Sequence, residues 1–169
     1  MPKSYEMKRF HPNLRRLKVI CPPGFMSTSE LAAESRYPEC GYEGIAEMGL
    51  PVLVVDDSTL ARKLLINALP EAWDVDISQA ANGREALAAY REGRASIMFL
   101  DLTMPGMTGF EVLEAVRAEG LDSFVIVVSA DIQPEAKARV KALGAVAFIE
   151  KPITNAKLLP VLKEYGLYE

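Results

Sequence analysis

Two cysteines, one histidine and one tryptophan among 169 residues close off several kinds of chemistry at the outset. Cys21 and Cys40, with eighteen residues between them, are too few to make a disulfide framework, so both are expected as reduced thiols. Together with His11 they supply three ligands where a tetrahedral zinc site needs four. No apolar run approaches the length of a membrane span, and the opening MPKSYEMKRFHPNLRR lacks the continuous apolar stretch of a signal peptide. A cytoplasmic location with no membrane partner is therefore expected. Phosphate-cradling glycine patterns are missing too. Neither G-x-G-x-x-G nor G-x-x-x-x-G-K followed by Ser or Thr occurs, and the first turn reads DDSTLARK, which argues against a nucleotide-binding fold.

What the chain does contain is ordinary for a globular protein: half its residues are hydrophobic and a quarter are charged. Its length allows one domain with a proper core plus an appendage. The net charge of −4 is unevenly spread. Met1 to Ile20 carries six Lys or Arg against one Glu, whereas Leu50 to Glu169 carries twelve basic and seventeen acidic residues. Six cations in twenty residues read as a solvated face rather than as a contact for nucleic acid, so no direct nucleic-acid partner is expected.

From Pro51 onward, short apolar runs alternate with helical patterns. The runs are VLVVD (52–56), WDVDISQA (73–80), SIMFLD (96–101), SFVIVVS (123–129) and AVAFIEK (145–151). Each is rich in β-branched or aromatic residues and too short for a buried helix. Between them, Leu60, Leu64, Leu65, Ala68 and Leu69 recur with helical spacing on one expected apolar face, and Asn82 with Glu85 has the spacing of a capping box. Gly93, Gly120, Gly144 and Gly166 fall where helices should stop, Pro70 closes the first helix, and Pro160 should kink or delay the last. Met104 and Met107 read as turn packing and Trp73 as an anchor on the second or an edge strand. Five strand-then-helix repeats predict an α/β fold: a doubly wound, five-stranded parallel sheet with helices on both faces.

In such a sheet, ligands bind beyond the carboxyl ends of the strands. The first strand ends in Asp56-Asp57, the third in Asp101, the fourth in Ser129 and the fifth in Lys151. If the first and third strands are neighbours, as order 2-1-3-4-5 requires, each pair of carboxylates repels by roughly 4 kcal/mol at ~4 Å and an effective dielectric near 20. Lys151 supplies one compensating charge. Oxygen ligands without His or Cys call for a hard divalent cation, which suits Mg²⁺.

The blocks VLVVDDS, IMFLDLTMPGMTG, VIVVSAD and FIEKP, in this order, resemble those of the receiver domain of two-component response regulators, the CheY-like superfamily, over residues 51 to about 165. The resemblance implies a flavodoxin-like fold in which Asp101 accepts a phosphoryl group from a sensor histidine kinase or phosphotransfer protein. It implies Mg²⁺ held by Asp56, Asp57, Asp101 and the backbone carbonyl of Thr103. Ser129 matches the switch hydroxyl, Lys151 the lysine that contacts the phosphoryl oxygens, and Phe148 the aromatic that turns inward on activation. Thr103 and Asp131 match positions that tune acyl-phosphate lifetime. A receiver catalyses only its own phosphorylation and dephosphorylation, so action as an enzyme on another substrate is not expected.

Haloacid-dehalogenase-like phosphohydrolases also start from an aspartate after a parallel strand, but they need a second Asp two residues on, and Thr103 stands there. A receiver fold used only for docking, without phosphorylation, would leave every charged group at the strand ends without a task. With nothing after Glu169, output is expected through non-covalent binding to a downstream protein or through residues 1–49.

That N-terminal extension offers a strand candidate, LKVI (17–20), and a helix candidate opened by Ser27 with Glu30 and followed by LAAES. CPPGF at Cys21 and YPECGYEG around Cys40 resemble two zinc-ribbon knuckles, each short of one cysteine, with Gly24 and Tyr37 in the vacant places. A degenerate ribbon without metal, or coincidence, is the expectation. About fifty residues bury too little to fold alone, so the extension is expected to pack on the receiver, to pair with a second copy as a homodimer, or to stay partly flexible.

Overall fold

The computed structural model describes residues 49–120 and 123–168. The strand, helix and cysteine readings made for residues 1–48 lie outside that range. Strands and helices alternate without exception: β1 (Leu50–Val55), α1 (Thr59–Ala68), β2 (Val75–Ala80), α2 (Gly83–Arg91), β3 (Ile97–Leu100), α3 (Gly109–Glu119), β4 (Phe124–Ser129), α4 (Pro134–Ala142), β5 (Ala147–Glu150) and α5 (Asn155–Glu164). The sheet is parallel in the order β2-β1-β3-β4-β5, with Val55 opposite Ala80 on one side and Leu100 on the other. This is the flavodoxin-like arrangement expected from the sequence.

The apolar runs became strands because both faces of the central sheet are covered. Leu53, Val55, Met98, Leu100, Val125 and Val127 cluster with Ala86, Leu87, Val112, Leu113 and Val140 of α2, α3 and α4. Successive strand side chains point to opposite faces. Val52, Val54, Ile97, Phe99, Ile126 and Val128, equally buried, therefore face the other layer, where α1 and α5 bury Leu65, Ala68, Leu158 and Leu162. β2 lies at an edge, and its residues are mostly half-buried or exposed.

Three readings need correction. Leu60 and Leu64 do not join the apolar face of α1; they are 67% and 51% exposed. Neighbouring helical residues are about 100° apart, so the stripe through Leu65 and Ala68 turns Leu60 and Leu64 to its flank. Trp73 lies before β2 rather than within it, and its ring meets Tyr168 edge-on at 6.4 Å, beyond the end of α5. Pro160 does not delay the last helix, which begins at Asn155 and runs through it.

The stop signals held. Gly93, Gly120, Gly144 and Gly166 all have positive φ, as does Gly106 in the turn after β3. Leu69, preceding Pro70, is extended at φ −67°, ψ 146°, the conformation a following proline favours.

Candidate functional site

Asp56, Asp101 and Lys151 are each the first residue beyond a strand, and Ser129 is the last residue of one. The ladder sets their positions. The amide of Asp56 donates to Ala80 O of β2 at 3.2 Å, and that of Asp101 donates to Val55 O of β1 at 3.0 Å. Parallel register thus brings the ends of β1 and β3 level, and one carboxylate oxygen from each of Asp56, Asp57 and Asp101 lies within 4.8 Å of the others. Among the described residues this is the one such group of three His, Cys, Asp or Glu side chains.

The three carboxylates are not equivalent. Asp56 and Asp101 are buried, while Asp57 is exposed. Asp56 Oδ1 accepts from the Ser58 amide at 2.8 Å, the two-residue reach of an Asx turn, and Ser58 Oγ in turn caps α1 by accepting from the Ala61 amide. Lys151 Nζ bridges the two buried carboxylates, 2.6 Å from Asp56 Oδ2 and 3.2 Å from Asp101 Oδ1.

Burial lifts the Asp101 carboxyl above the ordinary carboxylate range; Lys151 opposes that shift and the Asp56 charge reinforces it. Burial also works against charge on Lys151, but its hydrogen bond to Asp56 and the fields of Asp101 and Asp56 outweigh it and hold the ammonium above its usual value. One cation among three close carboxylates leaves a surplus of negative charge. The donors are hard oxygens without nitrogen or sulfur, a set that fits a hard divalent cation such as Mg²⁺.

The loop after Asp101 is shaped by its backbone. The Thr103 backbone works against burial in setting the Asp101 carboxyl, and the chain then turns through Gly106 at φ 79°. Gly109 opens α3 so close to this loop that an added Cβ would lie 2.2 Å from Asp101 O. Its amide donates to Leu102 O at 3.0 Å. Thr108 and Glu111 form a reciprocal capping box there.

Ser129 is completely buried, and its hydroxyl accepts from the Asp131 amide at 3.1 Å. Phe148 on β5 is half-buried, with Lys137 Nζ 5.2 Å from its ring centroid. The structure therefore gathers Asp56, Asp57, Asp101 and Lys151 at one point. Ser129 and Phe148 stand on the two following strands, engaged with partners of their own.

Two contributors escaped the sequence reading. Arg62 donates to Asp56 O at 2.7 Å, and its only sequence signal was a charge in the first turns of α1. The Thr108-x-x-Glu111 spacing is visible in MTGFE, next to the motif that drew attention first.

Comparison with known proteins agrees with this fold. The chain matches the family model described as the response regulator receiver domain over residues 52–163. It is 32% identical over 117 residues to the chemotaxis protein CheY of Thermotoga maritima, covering 69% of this chain and 98% of that protein. The match to a protein-glutamate methylesterase/protein-glutamine glutaminase of Nocardioides sp., 38% identical, spans 62% of this chain and only 29% of the relative. Among solved structures, chemotaxis protein CheY4 of Vibrio cholerae superposes with a TM-score of 0.62 at 35% identity, covering 70% of this chain and 98% of that one.

Proposed function

The chain belongs to the response regulator receiver domain family, and from that premise we propose that Asp101 accepts a phosphoryl group from the phosphohistidine of a sensor histidine kinase or phosphotransfer protein. The observation that carries this reading is the convergence of three carboxylates and one ammonium at neighbouring strand ends. Asp56, Asp57 and Asp101, with the Thr103 carbonyl, would hold Mg²⁺, which when bound offsets negative charge on the transferring group.

A carboxylate oxygen of Asp101 forms the new bond to phosphorus, while the donor's phosphorus–nitrogen bond breaks and its electron pair stays on the ring nitrogen. Lys151, already against Asp101, moves with its charge onto the phosphoryl oxygens. The Ser129 hydroxyl exchanges the Asp131 amide for those oxygens, Phe148 turns into the space released, and the surface formed by α4, β5 and α5 changes. A downstream protein reads that surface. Residues 50–169 act as the receiver and residues 1–49 as its extension, in the cytoplasm, with no catalysis beyond the domain's own phosphorylation and dephosphorylation. Exposed Leu60 and Leu64, in the helix that starts beside Asp57, support a docking face for the phosphodonor.

Intact-mass measurement with Mg²⁺ and acetyl phosphate tests this. One phosphoryl group is expected on the native chain and none on Asp101→Asn. A native chain that gains no mass would instead favour an unphosphorylated docking module.

A further inference from the structure

Arg62 holds three acceptors from three separate parts of the site's frame. Its Nη1 donates to Asp56 O at 2.7 Å, its Nε to Gln79 Oε1 of β2 at 3.0 Å, and its Nη2 to Thr59 Oγ1 in the first turn of α1 at 3.2 Å. The Asp56 carbonyl is the first of β1's chain to lie past the ladder: the Asp56 amide still bonds to β2, and Val55 O still receives the Asp101 amide. From Asp56 O onward the sheet no longer fixes the peptide plane. That plane sets the direction in which Asp57 leaves the strand, and Asp57 is the exposed member of the oxygen cluster. The guanidinium reaches Asp56 O from α1 while anchored on β2.

We infer that Arg62 is a positioning residue for the divalent-cation site, acting by fixing the Asp56–Asp57 peptide through its three-way fork. The inference rests on the reading of Asp56, Asp57 and Asp101 as a cation site. It has a distinctive sign. Viewed only as charge, a cation beside three carboxylates should repel Mg²⁺, so its removal should tighten binding. Viewed as a positioning group, its removal should weaken binding, because partners that orient metal ligands commonly matter by about 10–100-fold in affinity. The two roles predict opposite changes.

Calorimetric titration of the full-length chain with Mg²⁺ separates them. Arg62→Met is expected to weaken binding about tenfold. The deficit should persist at high salt, where the charge contribution is screened and a geometric one is not. Arg62→Lys keeps the charge but cannot span the three acceptors in a planar fork, so it should resemble Arg62→Met. Gln79→Ala alters no charge at an exposed position and removes one anchor of the fork; a smaller weakening, about threefold, is expected. Circular dichroism and thermal melting in EDTA verify that each variant is folded, and Gln79→Ala keeps the test open if Arg62→Met is not. Unchanged or tighter Mg²⁺ binding in folded Arg62→Met, or no effect of Gln79→Ala where Arg62→Met is unfolded, overturns the positioning role. A native chain that binds no Mg²⁺ overturns the cation site and this inference with it.

Discussion

Helix α3 opens with Thr108 and Glu111 bonded to each other's backbone, closes on Gly120 in the left-handed conformation, and buries Gly109, Val112, Leu113 and Val116. Helix α4, one strand further on, opens at Gln133 without a side-chain cap and buries only Ala136 and Val140. Several of its other attachments are made by exposed cations: Lys137 over Phe148, Arg139 over Phe110 and against Glu114, and Arg117 of α3 donating to Ala142 O. Contacts of that kind at exposed positions contribute little to stability. By caps and buried side chains, α3, which follows the strand before Asp101, is seated more firmly than α4, which follows the strand ending in Ser129. The phosphoryl switch proposed above would use this difference, with the firmer helix beside Asp101 and the looser one beyond Ser129.

Substitution can break that contrast. The largest effect is expected at Gly109, where an added Cβ meets the Asp101 carbonyl oxygen at 2.2 Å and Leu102 Cα at 2.8 Å, both backbone atoms that cannot swing aside. Gly109→Ala should cost about 3 kcal/mol by urea denaturation. Pro134→Ala at the start of α4 should cost about 1 kcal/mol or less. Equal losses at the two sites would mean that α3 is no more firmly seated than α4.

The strand end before α3 also carries buried charge, whereas α4 buries only Ala136 and Val140. Asp101→Asn removes a desolvated carboxylate that stands beside Asp56, so in EDTA at neutral pH it should stabilise the fold by about 1 kcal/mol. The pH dependence has a definite sign. Because the folded-state pKa of Asp101 is raised, the folded chain binds this proton more tightly than the unfolded one. Stability of the native chain from this group therefore rises as pH falls through the folded value, and levels off below the unfolded value of about 3.9. The advantage of Asp101→Asn should shrink accordingly between neutral pH and about pH 4. Thermal melts across that range check it; an advantage that grows toward acid would contradict the assigned shift.

The smallest effects sharpen the comparison at the helix starts. Thr108→Ala loses a capping bond and should cost about 1 kcal/mol. Gln133→Ala has no such bond to lose and should stay within about 0.5 kcal/mol.

Much of this was legible before any coordinates. The central strands announced themselves because burial on both faces demands unbroken apolar runs such as VLVV and IMFL, and the site because charge at the end of such a run is conspicuous. Glycine stops were readable because only a left-handed turn explains their spacing. Leu60, Leu64 and Trp73 were misplaced for one reason: apolar character says that a side chain prefers burial, not which neighbour is there to cover it. Arg62 was invisible because it contacts a carbonyl left over at the edge of a hydrogen-bond ladder, which no residue pattern reveals. Ser129 and Phe148 were placed on the correct strands, but their present partners, the Asp131 amide and Lys137, emerge only from the packing.

The most direct test of the central claim is the location of the phosphoryl group itself. After treatment with acetyl phosphate and Mg²⁺, borohydride reduction converts an aspartyl phosphate to homoserine, which peptide mass spectrometry then locates. Homoserine at position 101 alone is the predicted result; homoserine at position 56 or 57, or a label that survives reduction on a hydroxyl such as Ser129, would contradict it.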